Sequence, residues 1–171
     1  NIKGRKKIIL IGAGCGTPSV TFLAQKAREQ NVAVDFVLAT SSKEEIIFAK
    51  WLTDQGVKVY HRFQDNRFKH SWELVLDLIN CHNYDGLYAC GPELLLKKIT
   101  DWSLEKNIFC QVSLERYMKC GLGICGSCCV DPLGICLCTE GTVMDSKLAS
   151  QITEFGKYYR DASGAKIPFN S

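Results

Sequence analysis

The sequence predicts an α/β fold: a five-stranded parallel sheet with flanking helices, followed by a small C-terminal cysteine-rich module. Three observations carry this. Five β-type runs alternate with four helix-type runs between residues 6 and 115, the order that builds a parallel sheet covered on both faces. The first β-type run ends in glycines that open a helix. From residue 116 onward the periodicity stops, and six of the ten cysteines fall in the nineteen residues from 120 to 138.

Each element has its own signal. KKIILIGAG (6–14) is an apolar β-type run ending in glycines. TPSVTFLAQKAREQ (17–30) places Val20, Leu23, Ala24 and Ala27 at helical spacing behind a Thr-Pro start. VAVDFVLA (32–39) is the second strand. SSKEEIIFAKWLTDQG (41–56) reads as a helix with a Ser cap, early Glu residues and a terminal Gly. VKVYHRF (57–63) is the third strand and SWELVLDLIN (71–80) the third helix. DGLYACG (85–91) is the fourth strand. PELLLKKITDWSLEKN (92–107) is a helix with Pro in its first turn, and IFCQVSLE (108–115) the fifth strand. The chain divides into a nucleotide-binding-type domain (1–113), a metal module (114–144) and a polar, aromatic-containing tail (145–171) with no legible fold.

Composition narrows the function classes. Hydrophobic residues are 46% and charged residues 23% of the 171, a globular balance. The net charge of +3 points to neither nucleic acid nor an anionic membrane as partner. No apolar run approaches the roughly 20 residues of a membrane span. The basic start KGRKK precedes an apolar run of only Ile8 to Ile11, short of the about 7 to 15 residues of an export signal. The first residue is Asn1, so the expectation is a processed chain or a piece of a longer one. Clustered cysteines in a domain able to build its own core favour metal ligation in a reducing cytoplasm over a disulfide scaffold.

Gly12, Gly14 and Gly16, followed by Thr17 and Pro18, lie between the first strand and its helix. Glycines there let the backbone approach a pyrophosphate, and the helix N-terminus offers free N–H groups. The spacing is G-x-G-x-G, so the strand-to-helix context carries the reading. At the end of the second strand Thr40 and Ser41 are candidates for ribose and Lys43 for a 2′-phosphate, while Asp35 lies inside the strand. A plain Ser cap beside solvated charges is an equal reading, and NAD and NADP are not separated. Cys90, Gly91 and Pro92 end the fourth strand. Ligands of open α/β sheets sit at such carboxyl ends, so these residues are expected near the glycine turn and the far end of a dinucleotide.

Cys120, Cys125 and Cys128 carry the spacing C-x4-C-x2-C of a plant-type 2Fe-2S cluster, which needs one further cysteine. A zinc ribbon needs two C-x2-C knuckles, and only Cys125 and Cys128 form one. An oxidised cluster with four thiolates carries about −2 of net charge and needs dipoles around it. Gly121, Gly123 and Gly126 let the chain fold tightly with N–H groups turned to sulfur. Cys129 directly follows Cys128 and would have to double back. Cys136 and Cys138 both lie beyond the D-P-L-G turn at 131–134. On a short strand they would share one face, so spacing does not choose between them.

Residues 112–143, VSLERYMKCGLGICGSCCVDPLGICLCTEGTV, resemble the cluster segment of the electron-transfer subunit of NAD-dependent dihydroorotate dehydrogenase. Ser113, Leu114, Glu115, Met118, Cys120 and the cysteine run match that family's S-L-E-x-x-M-x-C-G-x-G-x-C-x-x-C. Cys138, Glu140, Gly141 and Val143 match its C-x-[DE]-G-P-V, with Thr142 in place of Pro. The resemblance implies Cys138 as fourth ligand and leaves Cys129 and Cys136 as spares. YACGPELLLK is similar to the family's nicotinamide-side motif, and the glycine turn departs from it at Pro18-Ser19. The tail EFGKYYRDASG looks like that of some archaeal-type members.

What the resemblance implies is a ferredoxin-reductase-like nucleotide domain with NAD(H), a 2Fe-2S cluster and FAD. The family places a flavin-binding barrel of roughly 100 residues ahead of the glycine turn, and this sequence starts only a few residues before it. FAD is therefore expected from another domain or a separate flavin protein. The expected partner is the FMN-containing catalytic subunit, and no residue here is assigned as general acid or base. His61, His70 and His82 read as surface or satisfied histidines. Two rivals remain: a diaphorase-type subunit of a hydrogenase or other ferredoxin-linked oxidoreductase, and a zinc-stabilised interaction module.

Overall fold

A computed structural model describes residues 2–40, 48–61 and 67–169. Its first half runs β1 (Lys7–Ala13), α1 (Thr17–Glu29), β2 (Ala33–Ala39), α2 (Ala49–Asp54), β3 (Lys58–His61), α3 (Arg67–Cys81), β4 (Gly86–Cys90), α4 (Glu93–Glu105) and β5 (Cys110–Ser113). The cysteine-rich part holds β6 (Cys129–Val130), β7 (Ile135–Cys136) and α5 (Leu137–Glu140). Then follow β8 (Val143–Asp145), α6 (Ser146–Ser150), β9 (Tyr158–Arg160) and β10 (Lys166–Pro168). Ser41, Lys43, the start of the helix expected from 41, the end of the strand expected to 63 and the side chain of His70 lie outside the described residues.

The five expected parallel strands are present, in the order β3-β2-β1-β4-β5. The sheet has six strands rather than five, because β8 adds antiparallel to the outer edge of β5. Three residues, Val-Met-Asp, are too few to show a period of two, so no strand signal is legible there. The other strands carry near-continuous apolar runs because both faces of the sheet are covered. Ile8 and Leu10 point to one face, packing with Val20, Ala24 and Ala27 of α1 and with Phe36 and Leu52. Ile9 and Ile11 point to the other, packing with Val75 and Leu78 of α3, Leu95 and Ile99 of α4, and the cysteine-rich part. This alternation is the strand period of two made visible.

Asp35 is buried within β2 at the amino-terminal half of the sheet. Lys7 Nζ lies 3.1 Å from its carboxylate and the Tyr84 hydroxyl donates to it at 2.6 Å. Burial, the bond to Asp35 and its charge hold the Tyr84 hydroxyl far above its ordinary pKa, so it acts there as a donor. Asp35 is thus committed to a structural contact, as its mid-strand position indicated.

The segment after β8 belongs to the core. Ala149, Ile152 and Phe155 are buried in the same cluster as α4 and β5. Arg116 sits among them with 1% of its side chain exposed. Its Nη1 and Nη2 donate to the two carboxylate oxygens of Glu93 at the start of α4, the second at 3.2 Å. Its Nε donates to Glu154 at 3.3 Å. Glu93 also accepts the backbone N–H of Gly156 at 2.8 Å. Arg160 continues the chain of charges, 3.8 Å from the second oxygen of Glu154 and 2.6 Å from Asp131. Burial pushes the Glu154 carboxyl up in pKa against the opposing pull of Arg116 and Arg160.

Removing the guanidinium leaves two buried carboxylates without their main partner, the costly half of breaking a buried ion pair. Arg116→Ala is expected to lower the unfolding free energy by about 3–5 kcal/mol, read as a fall in the denaturation midpoint at constant m-value.

Candidate functional site

The sheet order places β1 beside β4, with α1 on one face and α3 and α4 on the other. That reversal of winding opens a crevice at the carboxyl ends of β1 and β4, where ligands of this fold class bind. The strand register aligns Gly12 with Cys90 and Cys90 with Ser113. Three turns therefore leave the sheet side by side: the glycine turn, the Cys90-Gly91-Pro92 turn and the lead-in to the cysteines.

The first two turns interlock. A Cβ on Gly16 would lie 2.3 Å from the carbonyl carbon and oxygen of Cys90, and one on Gly91 would lie 2.6 Å from Ala13 Cβ. Gly16 is thus fixed by backbone-to-backbone packing. Gly14 and Cys15 form the exposed surface of the turn, and Thr17, the first residue of α1, is buried. No side chain caps the N-terminus of α1; the Thr17 N–H donates to the Gly14 carbonyl and Pro18 has no N–H, so the turn offers an anion chiefly the positive end of the helix dipole. Thr40 follows β2 and is buried, and its hydroxyl has no hydrogen-bond partner among the described residues. Cys90, Gly91 and Pro92 are half-buried along the crevice.

The cysteine loop is held at both ends by the sheet edge. Ser113 registers with Val143, the Ser113 and Thr142 hydroxyls are 3.0 Å apart, and Leu114 N–H donates to the Thr142 carbonyl at 3.0 Å. The position where the resemblance expects Pro thus uses both its hydroxyl and its carbonyl to close the loop. Within the loop, Cys120 lies in hydrogen-bond contact with Cys125, and Cys138 with Cys128.

Backbone N–H groups point at these sulfurs. Leu122 N and Cys125 N lie 3.4 and 3.5 Å from Cys120 Sγ, Gly123 N lies 3.3 Å from Cys138 Sγ, and Cys138 N lies 3.4 Å from Cys128 Sγ. Gly123 has φ +72°, a left-handed dihedral that side-chain-bearing residues resist. The N–H bonds from Cys125 and Leu122 and the Cys125 thiol lower the Cys120 pKa to about 6. The hydroxyl and N–H of Ser127 lower that of Cys125. The Cys128 thiol and burial raise that of Cys138. Two sulfur pairs surrounded by N–H donors suit a dianionic two-iron cluster, each iron taking two thiolates. Among the described residues, no three His, Cys, Asp or Glu gather to hold a single metal ion.

Cys136 and Cys138 do not share a face. The strand β7 ends at Cys136, and Leu137–Glu140 turn into α5, so the period of two breaks between them. Cys136 is opposite Cys129 across the β6–β7 hairpin and joined to it by a disulfide. That link is local to the hairpin and staples no other part of the chain. The residues that the sequence did not single out are Glu93, Arg116 and Glu154, which tie the crevice, the cluster lead-in and the later segment together.

The fold and the loop define an α/β nucleotide-binding-type domain that carries an iron–sulfur module. Residues 115–148 match the iron–sulfur cluster binding domain of dihydroorotate dehydrogenase B. The chain is 35% identical to the probable electron transfer subunit of dihydroorotate dehydrogenase B (NAD(+)) from Methanocaldococcus jannaschii, over 94% of this chain and 63% of that one. It is also 35% identical to the corresponding protein of Methanothermobacter thermautotrophicus, over 96% of this chain and 62% of the relative. The chain is thus homologous to these electron-transfer subunits and spans slightly under two thirds of their length. In structure it resembles an NADH-dependent reduced ferredoxin-NADP oxidoreductase, with TM-score 0.70, 20% identity, and 86% of this chain and 54% of that one covered. It also resembles the C-terminal domain of the PF1911 hydrogenase of Pyrococcus furiosus, with TM-score 0.58, 21% identity, and 64% and 91% covered. At such identities these two likenesses carry the fold and favour neither the diaphorase nor the hydrogenase reading.

Two substitutions read out the geometry. Gly16→Ala forces apart two turns that meet backbone to backbone, and an unfolding free energy lower by about 1–3 kcal/mol is expected in thermal denaturation. Cys138→Ser is expected to lose the cluster's visible absorbance, whereas Cys136→Ser and Cys129→Ser are expected to retain about two iron and two labile sulfide per chain.

Proposed function

We propose that this chain is the nucleotide- and cluster-bearing part of an electron-transfer subunit of dihydroorotate dehydrogenase. In this reading, electrons from the FMN-containing catalytic subunit pass through the 2Fe-2S cluster and FAD to NAD+ in pyrimidine biosynthesis. The observation that carries it is the register row Gly12–Cys90–Ser113. It sets the glycine turn, the Cys90-Gly91-Pro92 turn and the lead-in to the cysteines side by side at the carboxyl end of one sheet. Cys120, Cys125, Cys128 and Cys138 would hold the cluster. Gly12, Gly14, Gly16 and Thr17 would take the pyrophosphate, Thr40 and Ser41 the ribose, and Cys90, Gly91 and Pro92 the nicotinamide side.

A nicotinamide exchanges two electrons as hydride and a single 2Fe-2S cluster exchanges one, and a flavin converts between them. FAD would come from a further domain or a separate flavin protein. The chain's own share is positional. The α1 N-terminus presents the positive end of its dipole to phosphate, the unpartnered Thr40 hydroxyl is a donor or acceptor for a sugar hydroxyl, and the cluster-loop N–H groups stabilise thiolate charge. Leu122 and Ile124, 70% and 80% exposed beside the ligands, offer an apolar rim to a docking subunit. None of the described helices is long and apolar enough to cross a membrane, and a cytoplasmic setting belongs to this reading.

The test is to mix the cluster-loaded chain with NADH and follow the cluster's visible absorbance. Slow or no bleaching is expected with the chain alone, and fast bleaching once the flavin protein is added. Fast bleaching without added flavin would overturn the proposed route.

A further inference from the structure

A cavity of about 500 Å³ opens beside the crevice and is walled by three separate parts of the chain. Gly91, Pro92 and Glu93 form one wall, and Tyr117 and Met118, just ahead of the first cluster cysteine, form the second. The third is the β9–β10 hairpin, through Tyr159, Arg160 and Phe169.

That hairpin is built to stay in place. Tyr158, Tyr159 and Arg160 pair antiparallel with Pro168, Ile167 and Lys166. Its turn is closed by Asp161, whose carboxylate accepts the N–H groups of Ser163 and Ala165 at 2.8 and 3.1 Å. Arg160 anchors it to Asp131 and toward Glu154. The Tyr159 and Phe169 rings lie 5.4 Å apart at 41°, and Tyr159 keeps 40% of its surface exposed. Aromatic and thioether faces with a charged margin, in a cavity of this volume, suit a flat heteroaromatic ring. The two guanidinium groups of the margin are already partnered, Arg116 by Glu93 and Arg160 by Asp131, and Glu115 and Asp161 also line it, so the cavity does not call for an anionic ligand.

We propose that the hairpin is the third wall of a ring-binding site, and that Tyr159 is the residue that packs on the planar ring of a redox carrier, an isoalloxazine or a nicotinamide. This rests on the reading of the chain as an electron carrier between those groups. Tyr159 acts by contact and orientation and exchanges no proton or electron.

The test titrates the cluster-loaded chain and its Tyr159→Ala and Tyr159→Phe variants with riboflavin, NAD+ and ADP-ribose. Flavin fluorescence quenching and calorimetry give the dissociation constants, and the cluster absorbance confirms folding. One ring ligand is expected to bind Tyr159→Ala about tenfold more weakly and Tyr159→Phe within about twofold of the parent, as a stacking contact would give. ADP-ribose is expected to bind all three alike. Weakening confined to riboflavin identifies the flavin ring, and weakening confined to NAD+ identifies the nicotinamide. Unchanged affinity for both rings in Tyr159→Ala, a failure of Tyr159→Phe to restore it, or a parent chain that binds neither ring overturns the proposal. A parent chain that takes up riboflavin but not ADP-ribose instead overturns the dinucleotide reading of the glycine turn and leaves the Tyr159 comparison decided on riboflavin.

Discussion

A guanidinium with 1% of its side chain exposed requires anions beside it, since an unpaired buried charge costs several kcal/mol. Arg116 finds them in Glu93 and Glu154, which stand 23 and 38 residues away in sequence. Glu93 opens α4 one residue after the Cys-Gly-Pro turn. Arg116 lies between β5 and the first cluster cysteine. Glu154 lies in the segment that follows the cluster. The three charges are satisfied only when the crevice, the cluster lead-in and the later segment are all in position. A buried ion network of this kind adds little stability over an apolar packing of the same volume. Its effect is to tie those three regions into one arrangement.

The sheet supplies the second half of the constraint. Parallel strands that end level bring their following loops together, and the row Gly12, Cys90, Ser113 is such a level ending. The antiparallel return of β8 onto β5 then turns the whole cluster segment into one long loop with both ends pinned to the same edge. The distance between the glycine and Cys90 turns and the cysteine loop is thereby set by strand spacing, a quantity fixed by backbone hydrogen bonds.

Most of the nucleotide domain was legible because its physics is local. Covered strands must be apolar throughout, and helices must carry a 3.6-residue stripe, so KIILIGA and TPSVTFLAQKARE declared themselves. The glycine turn was legible as a turn, but the reason for Gly16 was not. It packs against Cys90, 74 positions away, and only the fold brings them together. Spacing alone did not separate Cys136 from Cys138, a choice that only the resemblance made, because a strand period carried two residues past the end of β7 gives both the same face. The segment after residue 145 did carry a signal, with Ser146, Ala149, Ile152 and Phe155 at every third position and all buried. It was obscured because α6 is only five residues long and the spacing continues through turns. The ion network has no sequence period at all.

Little regular structure surrounds the cysteines. The strands β6 and β7 have two residues each and α5 has four, too few ladder bonds to hold a loop still. What fixes it lies at its margins. The sheet edge grips both ends, Arg116 clamps the lead-in, Leu137 and Val130 enter the main core, and Asp131 takes Arg160 from beyond the module. Thiolate-directed N–H groups keep their aim only if the backbone that carries them does not move between oxidation states. The segment from Ser146 to Phe169 is therefore part of the machinery that holds the cysteine loop, although it contributes no cysteine to it.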